Sequence, residues 1–359
     1  MKFLEIGPYP PPNSGWSVRI KFLKTAFISK GHDCRVLNLG KYRKIKSSEY
    51  IDVQNGLDYL LKLILFRLKG YHFHIHMNAQ AVKGPILSLA ALIISLLTFE
   101  RAAITLHGGV KQLYFPRENG QKMYWVIYLN FLFAKLIICN NEPIKSEIVR
   151  YGLLLNKHKI FPIQAFSVQY LDCSEAELPE KITNYLKFKK NIIFCYMVLR
   201  NGFYIETLID FLERLDSDVG VILTGIREVE DDDVSEYYQK ILVLKEKKII
   251  LTVGNLDHDQ FMTLLGKSDI FLRTPVSDGV ASSVLEALAL KVPVVASENG
   301  RRPQSVITYQ ADNAEELGSK VKDVLINQDE FRKKIIKPDV KDTVIDEIEL
   351  LIKRYSFHK

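Results

Sequence analysis

The sequence predicts an α/β protein of two Rossmann-like domains, each a parallel sheet with helices on its faces. Three observations carry this expectation. Short apolar runs alternate with longer amphipathic segments along the whole chain, the pattern of βα units rather than of hairpins. At 359 residues the chain is too long for one hydrophobic core. A polar, acidic stretch between about Ala165 and Lys190, containing Pro179, interrupts the periodicity and separates two series of elements. The expected partition is residues 1–170, residues 171–337, and a closing segment 338–359 that packs back toward the first domain.

Taken in order, the first strand is Phe3 to Ile6, and the proline-rich loop Gly7 to Gly15 leads into a helix over Val18 to Ser29. Val18, Phe22 and Ala26 share one face of that helix, and Gly31 stops it. Cys34 to Leu39, Tyr71 to Met77, Ala102 to Leu106 and Leu136 to Cys139 are the next strands. Pro85 to Phe99 is apolar and nearly uncharged, yet shorter than the roughly 20 residues that span a bilayer, so it is expected to be a buried helix. In the second series the strands are Asn191 to Val198, Val219 to Thr224, Lys248 to Val253, Ile270 to Arg273 and Val292 to Ala296. Helices over Tyr204 to Leu215, Asp259 to Lys267 and Ser282 to Leu290 separate them, and Thr343 to Tyr355 forms a terminal helix with Ile345, Ile348 and Ile352 at helical spacing.

Apolar residues at 47% and charged residues at 25% exclude a disordered or collagen-like chain. The four cysteines stand far apart without zinc-type spacing and are expected to be reduced and packed. Glu5 and Pro8 interrupt the first apolar run before a signal-peptide core forms, so a cytoplasmic location is expected, with a peripheral position at the inner face of the membrane.

The formal net charge of +7 conceals an asymmetry. Residues up to Tyr170 carry 23 Lys and Arg against 9 acidic residues, whereas the remainder carries 26 against 33. The basic half is suited to an anionic partner. Nucleic acid is a poor candidate, because no zinc-finger spacing, aromatic RNA-binding motif or basic heptad region is present. Leu60 to Lys69 is mostly apolar with three cations, a pattern that suits either an anionic lipid surface or burial in the first core.

Ligands of open parallel sheets bind beyond the carboxyl ends of the strands. The loop Gly7 to Gly15 qualifies, with Gly15 and the following amides able to meet an anion at a helix start, or serving only as a rigid turn. It lacks the GxGxxG spacing of a dinucleotide site. Leu106-His107-Gly108-Gly109 follows a strand, so His107 can donate a hydrogen bond to a ligand that the glycines let approach. His72, His74 and His76 alternate along one strand and share a face; no acidic ligand lies close in sequence, and no metal is expected. The richest segment runs from Arg273 through Asp278, Gly279, Ser282, Ser283 and Glu286 to Gly300. There Gly279 allows close approach, Ser282 or Ser283 can cap a helix whose amides cradle a diphosphate, and Glu286 can accept both hydroxyls of a ribose. Asp278 reads equally as a turn residue, and Glu286 as a surface charge.

Together these segments resemble the GT-B retaining glycosyltransferases of family 4, also called glycosyl transferases group 1. The resemblance spans the opening strand and loop, Lys30-Gly-His-Asp33, Leu106-His107-Gly108, and the Glu286 helix followed by Val292-Pro-Val-Val-Ala296. It implies two Rossmann-like domains facing a central cleft. The family's two glutamates, separated by seven residues, correspond to Asp278 and Glu286. The resemblance makes His107, Asp278 and Glu286 catalytic, His107 touching the transferred sugar and Glu286 the donor ribose. It makes Gly15, Arg200, Asn201, Gly279, Ser282, Ser283 and Glu286 donor-binding. The implied activity moves a sugar from a UDP- or GDP-linked donor to a glycan or lipid-linked glycan, without a metal or other cofactor, in cell-surface polysaccharide synthesis. One departure stands out: Asn201 occupies the place of the family's lysine, and its arginine is also missing, leaving Arg200, Arg227 or Arg273 to substitute. A degenerate nucleotide- or glycan-binding protein and a nucleotide-sugar epimerase are therefore the competing readings.

Overall fold

The computed structural model describes residues 1–11, 13–110, 112–152, 156–199, 202–226, 235–276 and 280–356. They form two units, Met1–Gln169 with Val340–Lys359, and Tyr170–Asp339.

The first unit begins with β1 (Lys2–Gly7), α1 (Gly15–Ser29), β2 (Asp33–Asn38), α2 (Gly56–Leu68), β3 (His72–Met77) and α3 (Lys83–Leu97). It continues with β4 (Ala103–Leu106), α4 (Tyr124–Phe133), β5 (Leu136–Cys139), α5 (Glu142–Val149) and β6 (Ile160–Pro162). The strands pair in parallel in the order β2-β1-β3-β4-β5-β6. The second unit contains α6 (Glu180–Phe188), β7 (Asn191–Tyr196), α7 (Ile205–Glu213), β8 (Val219–Thr224), α8 (Ser235–Glu246) and β9 (Ile250–Val253). It is completed by α9 (His258–Gly266), β10 (Ile270–Arg273), α10 (Ser282–Ala289), β11 (Val294–Ser297), β12 (Ile307–Tyr309), α11 (Ala314–Ile326) and α12 (Gln328–Lys334). Its parallel order is β12-β11-β10-β7-β8-β9. The last helix, α13 (Thr343–Ser356), returns to the first unit and packs on α1.

Each sheet is buried on both faces, as parallel sheets require. In the first unit Leu4, Ile6, Phe73, Ile75 and Ile104 point into one core with Leu63 of α2 and Leu92 of α3. Phe3, Ala103 and Leu136 point the other way, against Leu23 and Phe27 of α1 and Ile348 and Leu351 of α13. In the second unit α7 and α11 cover one face and α9 and α10 the other.

Strand order reverses where β1 adjoins β3, and again where β7 adjoins β10. Such switch points open a crevice at the carboxyl ends of the strands. In the second unit the chain segments after β7 and β10 include Arg200, Asn201, Asp278 and Gly279. All four of those residues lie outside the described residues.

Candidate functional site

Alternation along β1, β3 and β4 decides what the first unit presents beneath α1 and α13. Phe3, Ala103 and Leu136 make this face apolar near the strand starts. Toward the carboxyl ends the same face carries Glu5, His74, His76 and Thr105, with His107 just beyond β4. The parallel register sets Glu5 beside His74 and His76 beside Thr105. Gly7 permits the strands to approach here, since a Cβ on it would lie 2.9 Å from His76 Cβ.

The polar groups form one continuous buried network. Arg19 of α1 donates from Nε and Nη2 to Glu347 Oε2 of α13 at 2.9 and 2.5 Å, and also reaches the hydroxyl and carbonyl of Thr343. Glu347 Oε1 accepts the Thr105 hydroxyl at 2.8 Å, and Thr105 Oγ1 lies 2.8 Å from His74 Nε2. His74 Nδ1 and His76 Nε2 both meet Glu5 Oε2, at 2.8 and 2.5 Å. His76 Nδ1 then lies 2.8 Å from His107 Nε2, and Trp16 of α1 packs edge-on against His107.

Charge balances along this path. Burial raises the Glu5 carboxyl, but the charge and hydrogen bonds of His74 and His76 outweigh it and hold the pKa at about 2. Burial opposes the charging of His74, whereas Glu5 and Glu347 favour it, and its pKa is raised. For His76, burial and the neighbouring His74 charge win over Glu5 and lower the pKa. His107 is driven well below the usual histidine value by burial, then by His76. These directions favour ion pairs of Arg19 with Glu347 and of His74 with Glu5, and neutral imidazoles at His76 and His107 leading to the loop.

Glu5 is the acidic neighbour that reading along the β3 histidines could not find, because it comes from β1. Its oxygen and the nitrogens of His74 and His76 lie within 4.8 Å of one another, a spacing also compatible with a metal. The individual contacts of 2.5–2.8 Å are those of hydrogen bonds and ion pairs. His72, on the same face, pairs instead with Glu100.

The His107 loop has its own support. Its backbone amide donates to Met77, while the Gln112 side chain donates to the carbonyls of His107 and Gly109 and accepts from the Ala79 amide. Gly108 takes a φ of 102°, a conformation that favours glycine. Gly15 is the first residue of α1, whose amino end is closed by a reciprocal capping box between Ser14 and Ser17.

In the second unit Glu286 is buried in α10, at 4% exposure. Burial raises its pKa to about 8. The surface-charge reading of Glu286 is thereby removed. Ser282 and Ser283 are the first two residues of α10; Ala281 holds the cap position, with no side-chain cap bond. The expectation that a serine caps this helix is therefore corrected, because helix geometry begins one residue earlier. Arg273 at the end of β10 lies over the rings of Tyr196 and Phe203, at 5.3 and 5.7 Å. Arg302, which sequence reasoning missed, donates to the carbonyls of Pro275 and Ser297 and so places a second cation at the carboxyl edge of β10 and β11. Arg227 lies outside the described residues.

Residues 179–339, nearly the whole second unit, match the family model of glycosyl transferases group 1. No curated protein matches the chain by sequence. Among solved structures, Anabaena HepE in complex with UDP and glucose is similar with a TM-score of 0.72 at 16% identity, covering 99% of this chain and 100% of that one. Sucrose-phosphate synthase from Thermosynechococcus elongatus gives 0.67 at 13% identity, with 99% and 100% covered. UDP-GlcNAc 2-epimerase from Methanocaldococcus jannaschii gives 0.62 at 14% identity, with 98% and 99% covered. Two parallel six-stranded sheets with flanking helices and these neighbours give the chain the GT-B fold.

Proposed function

We propose that this protein is a retaining glycosyltransferase of family 4 that uses a nucleoside diphosphate sugar, with UDP-linked sugars the first choice. The observation that carries the reading is the coincidence of the group 1 model with the second unit, where Glu286 lies buried in the helix that follows the β10 loop. Structural neighbours that hold UDP with glucose, or UDP-glucose, supply the choice of nucleotide. In this reading Glu286 accepts the ribose hydroxyls, amides at Ser282 and Ser283 meet the diphosphate, and Arg273 and Arg302 add positive potential. Gly15 borders the diphosphate, and Asp278, Gly279, Arg200 and Asn201 complete the donor-binding set. His107 contacts the transferred sugar.

Chemically, the bond from the anomeric carbon to the diphosphate oxygen breaks while the acceptor oxygen bonds to the same face. The acceptor proton passes to the departing diphosphate. Positive potential stabilises the developing charge, a contribution of several kcal/mol in comparable sites. No metal is assigned a role in this step. The acceptor is a glycan or lipid-linked glycan of a cell-surface polysaccharide. With a UDP-sugar panel and a matched acceptor, purified protein is expected to release UDP in the presence of a chelator and to give a product of retained anomeric configuration. Product from donor alone would favour an epimerase, a reading that the epimerase neighbour keeps in view. Donor binding without turnover against any acceptor would favour a binding module.

An anionic membrane surface is the partner proposed for the basic unit. Tyr59 and Leu63 anchor α2, whereas Leu57, Leu61, Ile64, Leu65 and Leu68 are exposed, so the helix turns much of its apolar surface outward. Phe99, just beyond α3, is 100% exposed. A groove of about 1710 Å³ at the amino ends of the strands is lined by Lys2, Lys69, Arg101, Lys135 and Lys159, with Leu96 and Phe99 on its wall. Apolar side chains beside cations suit anionic headgroups over acyl chains. The groove is at the edge opposite His107, which suits surface attachment rather than binding of the reacting hydroxyl. No helix among the described residues is long and apolar enough to cross a membrane. The protein is expected to sediment with phosphatidylglycerol vesicles, less so with phosphatidylcholine or at high salt. Leu61→Glu with Leu65→Glu should weaken binding at least about tenfold, given about 1.5–3 kcal/mol per buried leucine. Equal sedimentation of the double variant would remove α2 from the proposal.

A further inference from the structure

The hydrogen-bond path behind His107 assigns its proton. Glu5 Oε2 is a buried carboxylate oxygen and can only accept, so at 2.5 Å the His76 proton sits on Nε2. His76 Nδ1 then offers a lone pair to its neighbour 2.8 Å away, and that neighbour, His107 Nε2, must be the donor. Only a second proton on His76 would reverse the direction. That proton belongs to His74, which meets the same Glu5 oxygen and has Glu347 Oε1 at 3.6 Å. Its Nε2–H is committed, because the Thr105 hydroxyl it faces already donates to Glu347. Burial of His76 and the adjacent His74 charge act in the same sense.

On the reading that His107 contacts the transferred sugar, we propose that Glu5 and His76 are positioning residues that lock His107 in the neutral Nε2–H tautomer, so that its remaining nitrogen, Nδ1, accepts a hydrogen bond from a hydroxyl of the donor sugar. This reverses the expectation that His107 donates to its ligand. It also sets a specificity. A lone pair at that point rewards a hydroxyl and opposes a carboxylate, which would bring a second lone pair against it. Neutral hexose donors are therefore favoured over uronic-acid donors at this contact.

The test uses the intact protein labelled with 15N-histidine, whose two-bond proton–nitrogen correlations report each tautomer. His76 and His107 should both carry Nε2–H across about pH 6–8, the range in which an ordinary imidazole titrates. Glu5→Gln substitutes an amide that can donate to His76 Nε2, and should move both rings toward the Nδ1–H form. Its kcat/KM with the donor should fall about 10–100-fold, as for loss of comparable outer-shell partners. Glu5→Asp, which keeps the carboxylate, should restore the tautomer and part of the activity. A structural role alone would lower activity without moving the tautomer.

A wild-type His107 found as Nδ1–H overturns the proposal and needs no variant. So does full kcat/KM in a Glu5→Gln protein whose tautomers have changed, or lost activity with tautomers unchanged. If the wild type neither binds nor turns over any nucleoside diphosphate sugar, the transferase reading falls, while the spectrum still decides the tautomer. Turnover that ignores the tautomer leaves the transferase reading standing and removes the positioning role.

Discussion

Replacing Glu347 with leucine is expected to destabilise the first unit by about 3–5 kcal/mol, the range for removing one partner of a buried ion pair. Arg19 is 1% exposed and directs Nε and Nη2 at Glu347 Oε2. Without that carboxylate its charge keeps, among the described residues, Thr343 and the Ala165 carbonyl, and Thr105 loses the acceptor for its hydroxyl. For a unit of this size the loss corresponds to a Tm lower by about 6–20 °C. Arg19→Met combined with Glu347→Leu should recover most of it, because the double change removes both buried charges instead of stranding one. Calorimetry of the single and double variants decides. A Glu347→Leu cost below about 1 kcal/mol, or a double variant weaker than both singles, would show that the pair does not hold α13 in this way. The consequence for function is direct, since Glu347 also accepts the Thr105 hydroxyl and stands 3.6 Å from His74, behind the nearer Glu5.

Periodicity made much of this fold legible. The predicted strand at Phe3 to Ile6 is the centre of β1, and the segment Pro85 to Phe99 contains most of α3. What escaped were the helices α4 and α11, which the pattern did not single out, and the elements too short to show a period. The three-residue strands β6 and β12 sit at the sheet edges, where pairing with one neighbour defines them. For α2 the composition allowed two placements, and the choice lay in tertiary packing: Tyr59 and Leu63 suffice to anchor it, which leaves the other leucines outside.

The site divides along a similar line. Alternation alone placed His72, His74 and His76 on one face, and strand position placed His107 at a carboxyl edge. Their chemistry depends on partners that no local pattern reveals. Glu5 reaches His76 across 71 positions of sequence, and Arg19 reaches Glu347 across 328. A single acidic residue inside an apolar strand was the available signal, since a carboxylate there must find a partner or lose its charge. Gln112 and Arg302 left no such mark, because a polar residue in a loop is ordinary.

Glu286→Ala is expected to abolish donor-dependent release of nucleoside diphosphate. Two hydrogen bonds from ribose hydroxyls to a carboxylate contribute about 1.5–3 kcal/mol each. Their loss lowers kcat/KM by about 100- to 10,000-fold. The unliganded protein offers an independent readout of the same group. Burial raises the Glu286 pKa from 4.5 to about 8, so the folded state holds this proton more tightly than the unfolded chain does. The stability that this group contributes is then fully present below about pH 4.5 and is lost as pH rises toward 8, by up to about 1.4 kcal/mol per unit across that window. Glu286→Gln, which cannot ionise, should lose this decline and become more stable than the wild type at pH 8, the difference shrinking toward pH 5. Binding opposes that order, because the carboxylate is the better acceptor of two hydroxyls, so the glutamine variant should gain stability and lose donor affinity together. Full turnover in Glu286→Ala would falsify the ribose role, and identical pH profiles in wild type and Glu286→Gln would show that burial does not set its charge. The two measurements separate what the fold imposes on Glu286 from what a donor asks of it.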